Sequence, residues 1–311
     1  MRLRPAALFA AAFALTLSVR AGAQEPVPTK GSSDFITPHI SDAHHLEIPW
    51  PSLRDNLTRE IPLPRWAPLH IGSFEIDLSP TKHVVMMLFA AATCLVVLIS
   101  AARGQARHAA AGRPPRGLPN AIEAVVLYMR NEIILPNVGR HGDAFVPYCL
   151  TLFFFILIMN LLGLLPWGAS ATGNISVTAT LAICSFIVVE VAGMRALGRK
   201  YIDTIVFWPH DMAFALKAPI TLIMTPLELV SKFTKPLALA IRLFANMTAG
   251  HVLVLALISL IFTFGSIWIL PAPLAAALAI MVLELLVAFL QAFVFTLLVS
   301  VFIGQIREAA H

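Results

Sequence analysis

Toward the C-terminal end of this 311-residue chain, the run PLELVSKFTKPLALAIRLFANMTAGH sets Glu228, Lys232, Lys235, Arg242, Asn246 and His251 into otherwise apolar sequence. The next apolar run adds Glu284 and Gln291. In lipid such groups are expensive, with translocon scales giving about 2.5–3.5 kcal/mol for a central Arg. They need a pairing or a functional reason. A carboxyl and an imidazole can exchange charge near neutral pH once a low-dielectric site shifts them, and a guanidinium fork matches a carboxylate. The chemistry on offer is proton transfer beside a fixed cation.

Helical periodicity sorts these residues by face. Glu228, Lys235 and Arg242 follow at seven-residue intervals, each step drifting by about 20°, and Asn246 sits one turn beyond Arg242, so the four form one polar stripe. His251 is nine residues from Arg242, about 180° round the helix, and faces elsewhere. Folding the last two helices back on each other near residues 267 and 268 places His251 and Glu284 each about 16 residues from the turn, hence at one depth. The same count brings Gln291 close to the level of Arg242. Arg242 has no carboxylate within four residues on either side. Glu228 lies about 20 Å along the helix, which points to another protein as the source of the countercharge.

The elements that must hold these groups follow from composition. With 58% apolar residues against 13% charged and a mean hydropathy of +0.81, the chain cannot cover itself with a polar surface, which excludes a soluble enzyme. The apolar residues come in runs of about twenty, the length of a membrane-crossing helix rather than of a barrel strand. The expected fold is an all-α integral membrane protein with about five membrane-crossing helices and one amphipathic surface helix, the last two helices being long and tilted. The spans fall at about 82–102, 144–165, 174–194, 217–264 and 271–306. Across 217–264 a straight helix would be about 70 Å long, over twice the hydrocarbon thickness, so it must tilt steeply or break near Pro219, Pro226 or Pro236. At 120–135, Ile122, Val125, Val126, Met129 and Ile133 recur at three-and-four spacing with Glu123, Arg130 and Glu132 between them, the pattern of a helix on the inner surface.

Residues 1–23 read as a signal peptide, with Arg2 and Arg4 before a short apolar run and Ala21-Gly22-Ala23 at the cleavage site. Removing them takes three Arg and no acid, leaving 19 basic against 17 acidic residues, so nucleic-acid binding is not implied. Intact-mass measurement of the purified protein should find a chain beginning at Gln24; one beginning at Met1 would count against the cleavage. Residues 24–81 form a polar, proline-rich periplasmic segment with eight acids and four bases. Its run of His39, Asp42, His44, His45 and Glu47 lacks a HExxH or Cys-supported spacing and reads as solvated chain, so no metal or cofactor is expected. Residues 82–311 are the membrane domain. The loop after the first span carries Arg103, Arg107, Arg113 and Arg116 with no acid, which places it in the cytoplasm. Five crossings then leave the mature N-terminus periplasmic and the C-terminus cytoplasmic, in a bacterial inner membrane. Cys94, Cys149 and Cys184 lie in apolar runs without CxxC spacing and read as small buried hydrophobes.

RLFANMTAGH, with LELVSKFTKP before it, Glu284 and Gln291 after it, and the NLLGLLP and GNISVT segments, resembles subunit a of the F-type ATP synthase membrane sector over residues 80–308. The resemblance implies a stator beside a rotating ring of c subunits, with b-type peripheral stalk subunits and the rest of the F-type ATP synthase as partners. It also implies two offset aqueous half-channels that carry protons to and from the ring. By this likeness Arg242 is the essential arginine facing the ring carboxylate, Asn246 and Gln291 are its polar neighbours, and His251 with Glu284 line the outer half-channel. His in the first of the two helices and Glu in the second is the order of mitochondrial members; many bacterial members have them exchanged. Gly163 stands where some members carry an acid. Glu228 and Glu190 are candidates for the inner half-channel; Glu190 is weighed against a headgroup-level or locally paired acid, and Glu228, Lys232 and Lys235 against interfacial charges at the inner end of a tilted helix.

A self-contained secondary transporter or channel is the competing reading, since it too places charge at the midplane, but such folds show internal repeats with matching broken helices and none is evident. The chain has no GxxxxGK[ST] loop, so it is not itself an ATP-hydrolysing enzyme, and nucleotide chemistry belongs to partners.

Overall fold

The computed structural model describes residues 45–49, 58–64, 69–71, 74–76, 79–112, 116–139, 142–165, 170–205, 214–264, 268 and 270–308. The signal peptide reading and His39, Asp42 and His44 fall outside these residues. Within 24–81 the chain forms two small antiparallel hairpins, β1 (His45–Pro49) with β2 (Thr58–Pro62) and β3 (Leu69–Ile71) with β4 (Phe74–Ile76). Among the described residues of this segment they are regular structure that its proline-rich composition concealed.

The rest is helical: α1 (Lys82–Ala110), α2 (Leu118–Tyr128), a π-helical turn at Met129–Ile134, α3 (Leu135–Val138), α4 (Val146–Gly163), α5 (Ile175–Leu197), α6 (Phe214–Phe264) and α7 (Pro271–Glu308). Among the described residues five helical stretches are long and apolar enough to cross a membrane, at Lys82–Ala110, Val146–Gly163, Ile175–Ile202, Pro219–Leu260 and Pro271–Arg307. This is an all-α integral membrane protein.

Local chemistry sets the helix ends. Asn174 caps α5 by accepting the Ser176 backbone N–H at 2.8 Å, and Gly198, at φ 55°, ends it in a conformation that side chains with a Cβ avoid. Pro119 and Pro147 each occupy the first turn of a helix, where no backbone donor is lost, whereas Pro136 follows the π-turn inside a continuous helical run.

Packing orders the helices. α7 lies against α4, α5 and α6, and α1 covers α4 and α2. α4 is buried nearly all round, with Leu152, Phe153, Phe154, Phe155 and Ile156 in the core. Cys94, Cys149 and Cys184 are free and buried. The amphipathic stripe lands as its spacing predicts, with Met129 and Ile133 buried, but the π-turn and α3 carry that helix off the surface and under α7. There Arg307 Nη1 donates to the Val138 carbonyl at 3.1 Å.

α6 does not break. Its 51 residues, about 76 Å, run through Pro219, Pro226 and Pro236 without interruption, so the expected break at a proline does not occur. Prolines are tolerated in membrane helices where neighbouring groups re-satisfy the freed backbone.

Candidate functional site

α6 and α7 pack along each other as a hairpin, and the buried stripe of α6, Leu239, Leu243 and Met247 at four-residue steps, fixes its rotation. That rotation turns Glu228, Lys235, Arg242 and Asn246 to the exposed side together. Arg242 is flanked there by Ala238, Ala245 and Ala249, so nothing bulky of its own helix shields the guanidinium. Among the described residues, none is hydrogen-bonded or ion-paired to it.

One turn further, Asn246 Nδ2 donates to Gln291 Oε1 at 3.1 Å, and Gln291 is 3% exposed. The depth count that placed Gln291 near Arg242 is therefore right to within a turn. Closer to the α6–α7 connection, the Glu284 carboxylate rests on the α-carbon of Gly250, the residue before His251, in the space that a Cβ on Gly250 would fill. Glu284 and His251 are both half-buried.

A second polar centre lies toward the opposite end of the bundle. A cavity of about 240 Å³ between α5, α6 and α7 is lined by Glu190, Glu228, Lys232, Lys235, Thr204 and Gln305, among others. Lys232 Nζ stands 3.6 Å from Glu190 Oε2, donates to Thr204 Oγ1 at 3.1 Å and lies 4.8 Å from the centre of the Tyr201 ring. Lys235 sits over Phe302 at 5.1 Å. Glu190 is thus a locally paired acid that also lines a cavity, and its partner, Lys232, was not singled out by spacing. Along α6, Arg242 is nine residues from His251 and ten from Lys232, so about 14 and 15 Å separate it from the two centres. His251 and Lys232 lie about 100° apart round the helix axis.

The family model for the ATP synthase A chain matches residues 84–304. The chain belongs to that family. Similar proteins include ATP synthase subunit a of Anaeromyxobacter dehalogenans (strain 2CP-C), 47% identical over 233 residues, which are 74% of this chain and 58% of that one. ATP synthase subunit a of Chloroherpeton thalassium is 44% identical over 238 residues, 76% of this chain and 68% of that one. ATP synthase subunit a 2 of Chlorobium luteolum is 39% identical over 291 residues, 90% and 79% of the two chains. The match spans a little over half the length of the Anaeromyxobacter relative.

Against the family pattern, the site holds one group of residues that spacing alone did not mark. Asn160, fully buried, donates to the Ala288 carbonyl at 3.2 Å and accepts from Thr172 Oγ1 at 2.9 Å. Thr172 in turn touches Ser170 Oγ at 3.0 Å, and His83 Nδ1 donates to the Ser170 carbonyl, also at 3.0 Å. A buried amide left unpaired would cost about 1–3 kcal/mol, so this chain of bonds holds α1, α4 and α7 in register. Gly163 is part of the same arrangement, because a Cβ there would come within 2.6 Å of Ser170 Oγ. It would also meet Ser170 Cβ at 2.7 Å, so a larger side chain at that position requires Ser170 to move. The signal was the lone polar residue in NLLGLLP.

Proposed function

We propose that the chain is the ion-translocating stator subunit a of an F-type ATP synthase, and that it carries protons to and from a ring of c subunits through two offset half-channels. One observation carries the reading: an exposed arginine without a partner among the described residues stands between two polar centres that lie about 14 and 15 Å away on different faces of α6. A protein that conducted by itself would line one continuous path. Here the path is interrupted at Arg242, and a moving carboxylate from a partner must bridge the interruption.

In this reading Arg242 faces the ring carboxylate, and Asn246 and Gln291 hold the neighbouring level. His251 and Glu284 form the base of the outer half-channel, and the cavity at Glu190 and Glu228 belongs to the inner one. The exposed alanines beside Arg242 let the ring approach closely. Residues 1–23 are a cleaved signal, 24–81 a periplasmic segment and 82–311 the membrane domain, with the C-terminus in the cytoplasm and b-type stalk subunits holding the stator in place.

Reconstitution tests the assignment. Liposomes containing this chain alone are expected to show no proton flux under an imposed potential, and liposomes with the c-ring and b-type subunits added are expected to conduct. Flux through the isolated chain would instead favour a self-contained transporter or channel, the other reading of midplane charge.

A further inference from the structure

The Glu190–Lys232 contact crosses from α5 to α6 inside the cavity, and its geometry is that of a charge held in place by three partners. The ammonium of Lys232 has Thr204 Oγ1 as acceptor at 3.1 Å, the face of Tyr201 at 4.8 Å and the Glu190 carboxylate at 3.6 Å. Thr204 and Tyr201 belong to the 3₁₀ segment Gly198–Thr204 that follows α5, so the lysine is anchored from outside its own helix. Both side chains of the ion pair are mostly shielded, Lys232 at 13% and Glu190 at 15% exposure, yet both line the cavity.

We infer that Lys232 is a positioning residue for proton release, keeping the Glu190 carboxylate aimed into the inner cavity so that Glu190 accepts protons arriving from the ring side and passes them to cavity water. The inference rests on the stator reading above. At 3.6 Å the contact is beyond hydrogen-bond range, so Lys232 supplies a favourable field without occupying the lone pairs that the proton needs. The step balances without a further reactant. A Glu190 oxygen accepts H⁺ from water on the Arg242 side, the carboxyl then gives H⁺ to water on the exit side, and the carboxylate is restored beside the ammonium. Among the described residues the other charged groups facing the cavity are Glu228 and Lys235 on α6, while α7 contributes Gln305 and apolar side chains. Lys235 is turned to Phe302, which leaves Lys232 as the cation that contacts Glu190.

The experiment uses the whole complex in inverted membrane vesicles, where ATP-driven pumping runs the same relay in reverse, from cavity water through Glu190 to the ring side, with acidification read by dye quenching and complex content measured on the same membranes. Per assembled complex, Lys232→Met and Glu190→Gln should each lower the pumping rate about 100-fold, the scale on which a misplaced proton-transfer group loses rate. The double variant should be no worse than either single one, because the two act as a unit. Lys232→Arg keeps a cation at the same place and should retain more than half of the rate. Normal pumping by Lys232→Met, losses that multiply in the double variant, or an arginine variant as poor as the methionine one would each overturn the assignment. Arg242→Ala in the same assay separates the two levels. If that variant is inactive while Lys232→Met pumps normally, the stator reading stands and the role of Lys232 falls; if Arg242→Ala itself pumps normally, the stator reading falls with it.

Discussion

Membranes carrying Arg242→Ala are expected to make no ATP from an imposed proton gradient and to let any remaining proton flow run uncoupled. The guanidinium is exposed on α6 with no hydrogen-bond or ion-pair partner among the described residues, and in the stator reading its countercharge is the ring carboxylate. A ring carboxylate passing such a cation is held in its charged form, because a neighbouring positive charge favours the ionised acid. It therefore cannot carry a proton directly from one polar centre to the other. Breaking a desolvated charge pair by removing one member costs about 3–5 kcal/mol, and each 1.4 kcal/mol is about tenfold, so coupled synthesis should fall at least ~100-fold. Arg242→Lys should fail as well. A compact, strongly hydrated ammonium does not present the planar fork that meets a carboxylate with two parallel bonds, and its shorter effective reach moves the charge back toward the helix. The measurement is ATP synthesis and passive proton conductance on one membrane preparation. Coupled synthesis at the unmodified rate in either variant would sink the reading.

His251 and Glu284 are expected to behave as one relay whose function depends on the pair more than on which helix holds which member. Glu284→Gln should cut pumping sharply and His251→Ala should cut it too, since positioned acid–base groups contribute about 10²–10⁴-fold to proton transfer. Exchanging the two, His251→Glu with Glu284→His, should recover part of what His251→Glu alone loses. The contact at Gly250 adds a third probe that leaves both ionisable groups in place. A Cβ there would enter the space of the Glu284 carboxylate, and since that carboxylate is the end of a flexible side chain it will move rather than break the helix contact. Gly250→Ala should therefore assemble normally and pump poorly. Proton pumping in inverted vesicles reads all of these variants. A double exchange no better than the worse single variant, or normal pumping by Glu284→Gln, would reduce the pair to a structural contact between two helices.

Much of the site was legible because its geometry is local. Glu228, Lys235, Arg242 and Asn246 fall on one exposed face for the reason their spacing states: residues seven apart in an α-helix drift by only about 20°. The Asn246–Gln291 bond could be anticipated from a depth count because two helices joined by a short turn rise at the same 1.5 Å per residue on either side of it. The spans themselves are long continuous apolar runs, and lipid leaves such runs no alternative to the helix. Even the isolation of Arg242 showed in sequence, as the lack of an acid within reach on its own helix.

The tertiary structure alone decided what passes between helices. Glu190 and Lys232 belong to elements whose relative rotation no periodicity encodes, and only the packing of α5, α6 and α7 around one cavity made an ion pair of them. The π-turn that sends the amphipathic helix under α7 also depends on non-local partners. The same holds for the glycines. Gly250 and Gly163 are places where a missing Cβ admits Glu284 and Ser170, and an absent side chain acquires meaning only when the group that fills its space comes from another part of the fold. Helical phase is a property of one segment and can be read along the chain, whereas the azimuth of one helix against the next is set by the side chains of both, and that sum is taken only when they pack.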